Sequence, residues 1–246
     1  MTRVANTNNL TRRLVDTLGI AIVTGVYGPE RPFPTEAQLC IELEASRSVL
    51  REAVKMLTAK GLLSARPRRG TIVEPEAHWN LLDPDVLRWT LERKFSPKLL
   101  AEFTQMRLAI EPRAAMLAAH QADAASLQAI ERALERMHAA ENGTDDPLES
   151  DIAFHVAVLS ASGNRLYAQL RDLVATALRF SIPLTNRAKG VALANLADHR
   201  RVYTAIVAGD GVRAFRAMES LLSEVMQLID TRSAAKPRNN RRGAKG

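Results

Sequence analysis

"ASRSVLREAVKMLTAKG", residues 45–61, carries two stripes at once. Arg47, Arg51 and Lys55 recur every four residues. Val49, Leu50, Ala53, Val54 and Leu57 recur at helical spacing between them. Residues three and four apart share one face of an α-helix, so the stretch reads as a helix with one basic and one apolar face. A basic stripe by itself is an ordinary solvated surface, and its neighbours decide what it is for.

Upstream lies "PTEAQLCIELE", residues 34–44. Thr35 and Gln38 have the spacing of a capping box, and Leu39 and Leu43 sit one turn apart. This predicts a short helix ending near Glu44, with Ser46 as the N-cap of the next. Two helices joined so tightly form a helix-turn-helix. Downstream, "LLSARPRRGTIVEP" (62–75) predicts strands at 62–65 and 71–73, with Arg66, Pro67, Arg68, Arg69 and Gly70 as the turn. With a preceding helix over 11–24, the arrangement is a winged helix.

The N-terminal end of the second helix in such a motif enters a DNA major groove. Arginine there can donate two bonds to guanine O6 and N7. The candidate DNA-binding residues are Thr35, Ser46, Arg47, Ser48, Arg51 and Lys55, with Arg66, Arg68, Arg69 and Gly70 at the wing. Most such contacts position the protein on phosphates and only a few specify bases. Double-stranded operator DNA is the expected partner.

Residues 10–75 resemble the winged-helix domain of the GntR family of bacterial transcription regulators. The elements "PTEAQL", "SRSVLREA" and "GLL…RGTIV" carry the resemblance together. It implies that Arg47 and Arg51 contact bases or phosphates. Relatives often place arginine after the glutamate of the first element, where this chain has Ala37.

The chain of 246 residues is 46% apolar and 25% charged, with 4% aromatics, which favours a mostly helical protein. Its one cysteine, Cys40, excludes an internal disulfide and a cysteine-type zinc cluster. The first residues lack an apolar core of signal-peptide length, and no apolar run approaches a membrane span. The expectation is a cytoplasmic protein without a membrane partner. Residues 1–78 carry 11 cations against 8 anions, residues 79–231 carry 17 against 19, and residues 232–246 carry 6 against none. That last segment reads as a basic disordered tail.

From residue 84 onward no strand pattern occurs. Helices are predicted at 84–93, 97–120, 123–142, 147–162, 164–181, 190–208 and 210–231, with Pro112 kinking the second of them. The fold class is mainly α: a winged helix-turn-helix domain at 1–78, then an all-α bundle of six or seven helices at 79–231.

Within the bundle, "SDIAFHVAVLSASGN" sets Asp151 and His155 four residues apart, on one helical face. His199 lies on a later helix. From spacing alone these histidines either pack and cap, or bind a divalent metal together with Asp151. Arg107 either forks onto a carboxylate ligand or lies on the surface paired with Glu111, four residues on.

The bundle resembles the ligand-sensing domain of the FadR branch of the same family, through "MRLAIEPRAAMLAA", "DIAFHVAVLSASGN" and "DHRRVYTAIVAGD". Members of that branch often hold a metal with one aspartate and three histidines. The resemblance implies Asp151, His155 and His199 as metal and effector ligands, with Leu221 where a fourth ligand would fall, and Arg107 as an effector contact. A zinc-like ion completed by water or effector, or a metal-free polar pocket, would both fit three ligands.

Residues 78–107, "HWNLLDPDVLRWTLERKFSPKLLAEFTQMR", resemble the galactonate-operon repressors within this branch. That implies a homodimeric repressor of sugar-acid catabolism, released from its operator by an aldonate. Another small carboxylate as effector is the alternative. A metal-dependent hydrolase is a more distant one, since no further carboxylate stands at motif spacing to serve as base, and no enzyme activity is expected. Trp79 and Trp89, the chain's only tryptophans, read as rings that dock the two domains together.

Overall fold

The computed structural model describes residues 2–68, 70–93, 97–189 and 195–234. Packing divides the chain into two compact units, Met1–Phe95 and Ser96–Gly246. Among the described residues no helix is long and apolar enough to cross a membrane.

The first unit opens with α1 (Thr2–Val23), followed by α2 (Glu36–Glu42) and α3 (Arg47–Ala59). The capping box is formed as expected: the Thr35 side chain accepts from the Gln38 amide, and the Gln38 side chain accepts from the Thr35 amide. Ser46 caps α3 by accepting from the Val49 amide. The apolar stripe of α3, Val49, Leu50, Ala53 and Leu57, is buried. It packs with Leu14, Leu18 and Ile22 of α1 into one core. Each fully buried leucine there contributes about 1.5–3 kcal/mol of transfer free energy.

Strands β1 (Leu63–Arg66) and β2 (Gly70–Val73) pair antiparallel, with Leu63 opposite Val73 and Arg66 opposite Gly70. The tight turn between them puts Arg68 at φ 63 and Gly70 at φ 73. A left-handed arginine costs of order 1 kcal/mol, so the hairpin closure holds Arg68 against its own preference. Arg69, expected at the wing tip, lies outside the described residues.

Helix α4 (Pro84–Arg93) follows a 3-10 turn at Glu76–His78 and packs on α1. Here two sequence expectations need correction. The first domain was expected to close at residue 78, but the division falls after Phe95, because α4 contributes Val86 and Trp89 to the N-terminal core. The tryptophans, expected to dock the domains, both pack within this unit: Trp89 is 1% exposed, and Trp79 is partly buried against the same core. The Trp89 indole N–H donates to Asp16 (3.0 Å), and the Trp79 indole N–H donates to the Glu74 carbonyl (2.9 Å). A Cβ at Gly19 would stand 2.5 Å from the Trp89 ring, so α1 is notched there to admit it.

At the start of α4, the Lys60 ammonium donates to Asp83 (2.7 Å) and Asp85 (2.9 Å). The Lys60 carbonyl accepts from the Asn80 amide. Arg88 donates to Asp16 at 2.5 Å. These bonds tie the end of α3, the start of α4 and the middle of α1 into one knot.

The second unit is all-α: α5 (Pro97–Gln121), α6 (Ala124–Glu141), α7 (Pro147–Ala161), α8 (Arg165–Gln169), α9 (Arg171–Lys189), α10 (Leu196–Val207) and α11 (Gly211–Ala234). Helix α5 runs unbroken through Pro112. The single helix expected at 164–181 is two, because the chain caps at Leu170 before α9 begins and continues through Pro183. Helix α5 packs against α7, α10 and α11, and α6 packs against α7 and α10. Of the segment expected as a basic tail, residues 232–234 belong to α11, and residues 235–246 lie outside the described residues.

Candidate functional site

The basic face of α3 stands as the sequence implied, with its apolar stripe inward and Ser46, Arg47, Ser48, Arg51 and Lys55 exposed. The two serine hydroxyls lie 3.1 Å apart at the helix start. Arg51 is engaged by a residue that the sequence did not single out: its Nε donates to Glu36, the first residue of α2, at 2.9 Å. Lys55 has Glu52 at 3.6 Å. Arg66 stands 3.7 Å from Glu74, whose carboxylate also accepts from Ser64 and meets His78 at 3.0 Å. Those partners, the Ser64 hydrogen bond first, hold the Glu74 carboxyl below its ordinary range. Arg68 and Gly70 are exposed at the wing.

In the bundle, α5, α7 and α10 bring five side chains into one buried chain of contacts. Arg107 and Glu111 come from α5, Asp151 and His155 from α7, and His199 from α10. Their exposures run from 0% to 4%. Arg107 forks onto Glu111 with Nε–Oε1 at 2.5 Å and Nη2–Oε2 at 3.2 Å. Glu111 Oε2 meets His155 Nδ1 at 2.6 Å. On its other side, His155 Nε2 is 3.3 Å from Asp151 Oδ1, and His199 Nε2 reaches the same oxygen at 3.2 Å. Phe154 packs edge-on against both imidazoles.

The Arg107–Glu111 pairing that spacing allowed is therefore made, but in the interior. Glu111 was missed as a site residue: an i, i+4 pair on a helix shows who can meet, not whether water is present. Burial opposes ionisation of Glu111, yet Arg107 and His155 overcome it and hold the carboxyl down to about 2. Asp151 behaves alike, with burial outweighed by His155 and His199, and its carboxyl sits far below the usual range. For His155, burial and the charge of Arg107 oppose protonation, and Glu111 and Asp151 prevail, raising its pKa.

The proton positions follow from the acceptors. His199 Nδ1 lies 2.8 Å from the Asn195 carbonyl, which can only accept, so Nδ1 carries hydrogen. His155 Nδ1 likewise donates to the ionised Glu111. Both Nε2 atoms are thereby aimed at Asp151, where either a proton or a cation must separate nitrogen lone pair from carboxylate. Metal-bound histidines show this same outer fixation, with the remote N–H held by a carboxylate or carbonyl. A tetrahedral ion about 2.0–2.2 Å from each ligand needs ligand atoms roughly 3.3 Å apart. The two Asp151 contacts are 3.2 and 3.3 Å, and all three ligand atoms lie within 4.8 Å of one another. Asp151, His155 and His199 are donor types that could hold a divalent ion, with Asp151 at the centre of the group. Leu221, on α11, offers no fourth donor.

A winged helix with an exposed basic face, followed by an all-α unit, defines a class of DNA-binding regulator. The chain belongs to the GntR family: residues 10–73 match "Bacterial regulatory proteins, gntR family", and residues 102–224 match the FCD domain. It is 36% identical to the galactonate operon transcriptional repressor of Escherichia coli (strain K12), covering 88% of this chain and 95% of that one. It is 30% identical to the HTH-type transcriptional regulator LutR of Bacillus subtilis (strain 168), covering 85% and 95%. The regulator described as controlling expression of the Listeria monocytogenes agr system shares the fold, with a TM-score of 0.58 at 17% identity over 90% of this chain and 96% of that one. The protein is a DNA-binding transcriptional regulator.

Proposed function

We propose that this regulator represses a sugar-acid catabolic operon as a homodimer and is released by an aldonate such as galactonate. The observation that carries the proposal is the buried chain Arg107–Glu111–His155–Asp151–His199, whose charges suit a ligand bearing one carboxylate and several hydroxyls. The 36% identity to the galactonate operon transcriptional repressor supports the choice of acid.

On the DNA side, Arg47 and Arg51 read bases at the start of α3. Thr35, Ser46, Ser48, Lys55, Arg66, Arg68, Arg69 and Gly70 settle the protein on phosphates. On the ligand side, Asp151, His155 and His199 would hold a divalent, zinc-like ion. Such an ion would supply a positive centre for ligand oxygens, with open positions left by the missing fourth donor. Arg107 takes the effector carboxylate only by exchanging it for Glu111, which already fills the fork. Effector binding then favours a state of the protein with lower operator affinity, and it does so only to the extent that it binds that state more tightly.

The test is operator binding by fluorescence anisotropy, on DNA selected from a random pool, with galactonate, gluconate and lactate titrated in, with and without chelator. Release by galactonate at the lowest concentration, weakened by chelator, is expected. Release by lactate alone would move the protein to the short hydroxy-acid regulators. No release by any of the three would remove the sugar-acid reading.

A further inference from the structure

We infer that Glu36 is a specificity-determining residue for operator recognition: its carboxylate orients the Arg51 guanidinium so that the Nη1/Nη2 edge is presented to a base. The inference rests on the proposal above that the 47–55 face meets DNA.

A guanidinium has two edges able to donate paired parallel bonds, one of Nη1 with Nη2 and one of Nε with a neighbouring Nη. Glu36 takes Nε through a single oxygen at 2.9 Å. Among the described residues neither Nη atom of Arg51 has a partner. The side edge is thus occupied and the end edge is open. The Arg51 side chain is 63% exposed and Glu36 is 43% exposed, so the pair lies on the surface and adds little to folding. Its effect is to hold a long side chain in one direction before DNA arrives, which removes rotamer freedom that binding would otherwise have to remove.

Glu36 is itself well placed for this. It is the first residue of α2, directly after the N-cap Thr35, and the capping box fixes the backbone of that turn. The box uses Thr35 and Gln38 and leaves the Glu36 side chain free to reach Arg51, 15 residues on. A carboxylate on a face that meets phosphates opposes association with DNA of any sequence. Glu36 therefore trades overall affinity for discrimination at the base that Arg51 reads.

Those two effects have opposite signs, and the test uses that. Full-length wild type, Glu36→Ala, Glu36→Gln and Arg51→Ala are each put through selection from a random DNA pool. Competition binding on single-base variants of the selected site follows, with circular dichroism melts as a check of folding. In Glu36→Ala, affinity for nonspecific DNA rises while discrimination at one base pair per half-site falls roughly tenfold, the same position lost in Arg51→Ala. In Glu36→Gln, which keeps an acceptor for Nε but not the charge, nonspecific affinity rises and most of the base preference remains. A Glu36→Ala profile identical to wild type overturns the inference, as does a uniform loss of affinity across sequences, the mark of a merely structural role. An Arg51→Ala protein that keeps the full preference removes Arg51 from base readout. The DNA-face proposal then fails at that residue, and the role of Glu36 fails with it.

Discussion

At the scale of single residues, the decisive fact in the bundle is that Arg107 is paired and dry. Its fork onto Glu111 leaves both charges with almost no water, and Glu111 in turn steadies His155. Removing one member of a buried ion pair costs about 3–5 kcal/mol, chiefly because the other is stranded. Arg107→Ala is therefore expected to lower the stability of the helical unit by that order as well as to abolish induction. Replacing the pair by neutral groups in Arg107→Leu/Glu111→Gln, which keeps an acceptor for the His155 Nδ1–H, should recover part of the stability without recovering induction. Chemical denaturation of the two variants checks this, and a double variant as unstable as the single would argue that the pair is not what was lost.

At the scale of elements, α4 is held by the knot of Lys60, Asp83 and Asp85. Burial disfavours the Asp85 carboxylate, but the Lys60 hydrogen bond prevails and its pKa is lowered. For Lys60, burial likewise opposes the charge, and Asp83 and Asp85 raise its pKa. A lowered carboxyl contributes fully above its unfolded value, about 3.9, and is lost as pH falls through the folded one. A raised ammonium contributes fully below about 10.4 and is lost as pH rises through its folded value. Docking of α4 should thus be flat across neutral pH and weaken at both extremes. Lys60→Met should loosen it across neutral pH by about 1–3 kcal/mol, since two aspartates lose their donor, and should change little at the extremes, where the pairing is already lost. Hydrogen exchange of the 85–93 amides reads this directly, and unchanged protection in Lys60→Met would show that apolar packing alone holds the helix.

The elements were largely legible in the sequence because periodicity and caps are local. The capping box at Thr35, the Ser46 cap and the α3 stripe all form where spacing put them. What spacing did not show was which surface an element meets. Helix α4 has a clear apolar face, yet nothing local says that its Trp89 fills a notch at Gly19, some seventy residues earlier. The Glu36–Arg51 contact is hidden for the same reason, since it joins two elements whose approach is set by the core beneath them. His155 and His199 were legible as a cluster because of resemblance; their outer partners, Glu111 and the Asn195 carbonyl, were not.

At the scale of the whole molecule, the DNA-binding unit is larger than its winged-helix motif. A fragment ending at residue 95 keeps Val86, Trp89 and both aspartates of the knot, whereas one ending at residue 78 loses them. Losing a buried indole alone costs about 3–5 kcal/mol, a large share of the stability of a small domain. The longer fragment is expected to unfold cooperatively on heating and the shorter one to lose that transition. Equal melting of the two would mean that α4 is a passenger.

Gly19 and Trp89 also constrain how this chain can change over generations. A glycine inside a helix is ordinarily easy to improve, since alanine there gains about 0.5–1 kcal/mol. Here the first methyl at position 19 would run into an indole 2.5 Å away, so the step that is favourable in most helices is closed. It opens only after Trp89 has been replaced by something smaller, and that replacement alone leaves a hole. Lineages that keep the indole must keep the glycine. A lineage that exchanges both must pass through a less stable ancestor or acquire the two substitutions together, so positions 19 and 89 should be inherited as a pair.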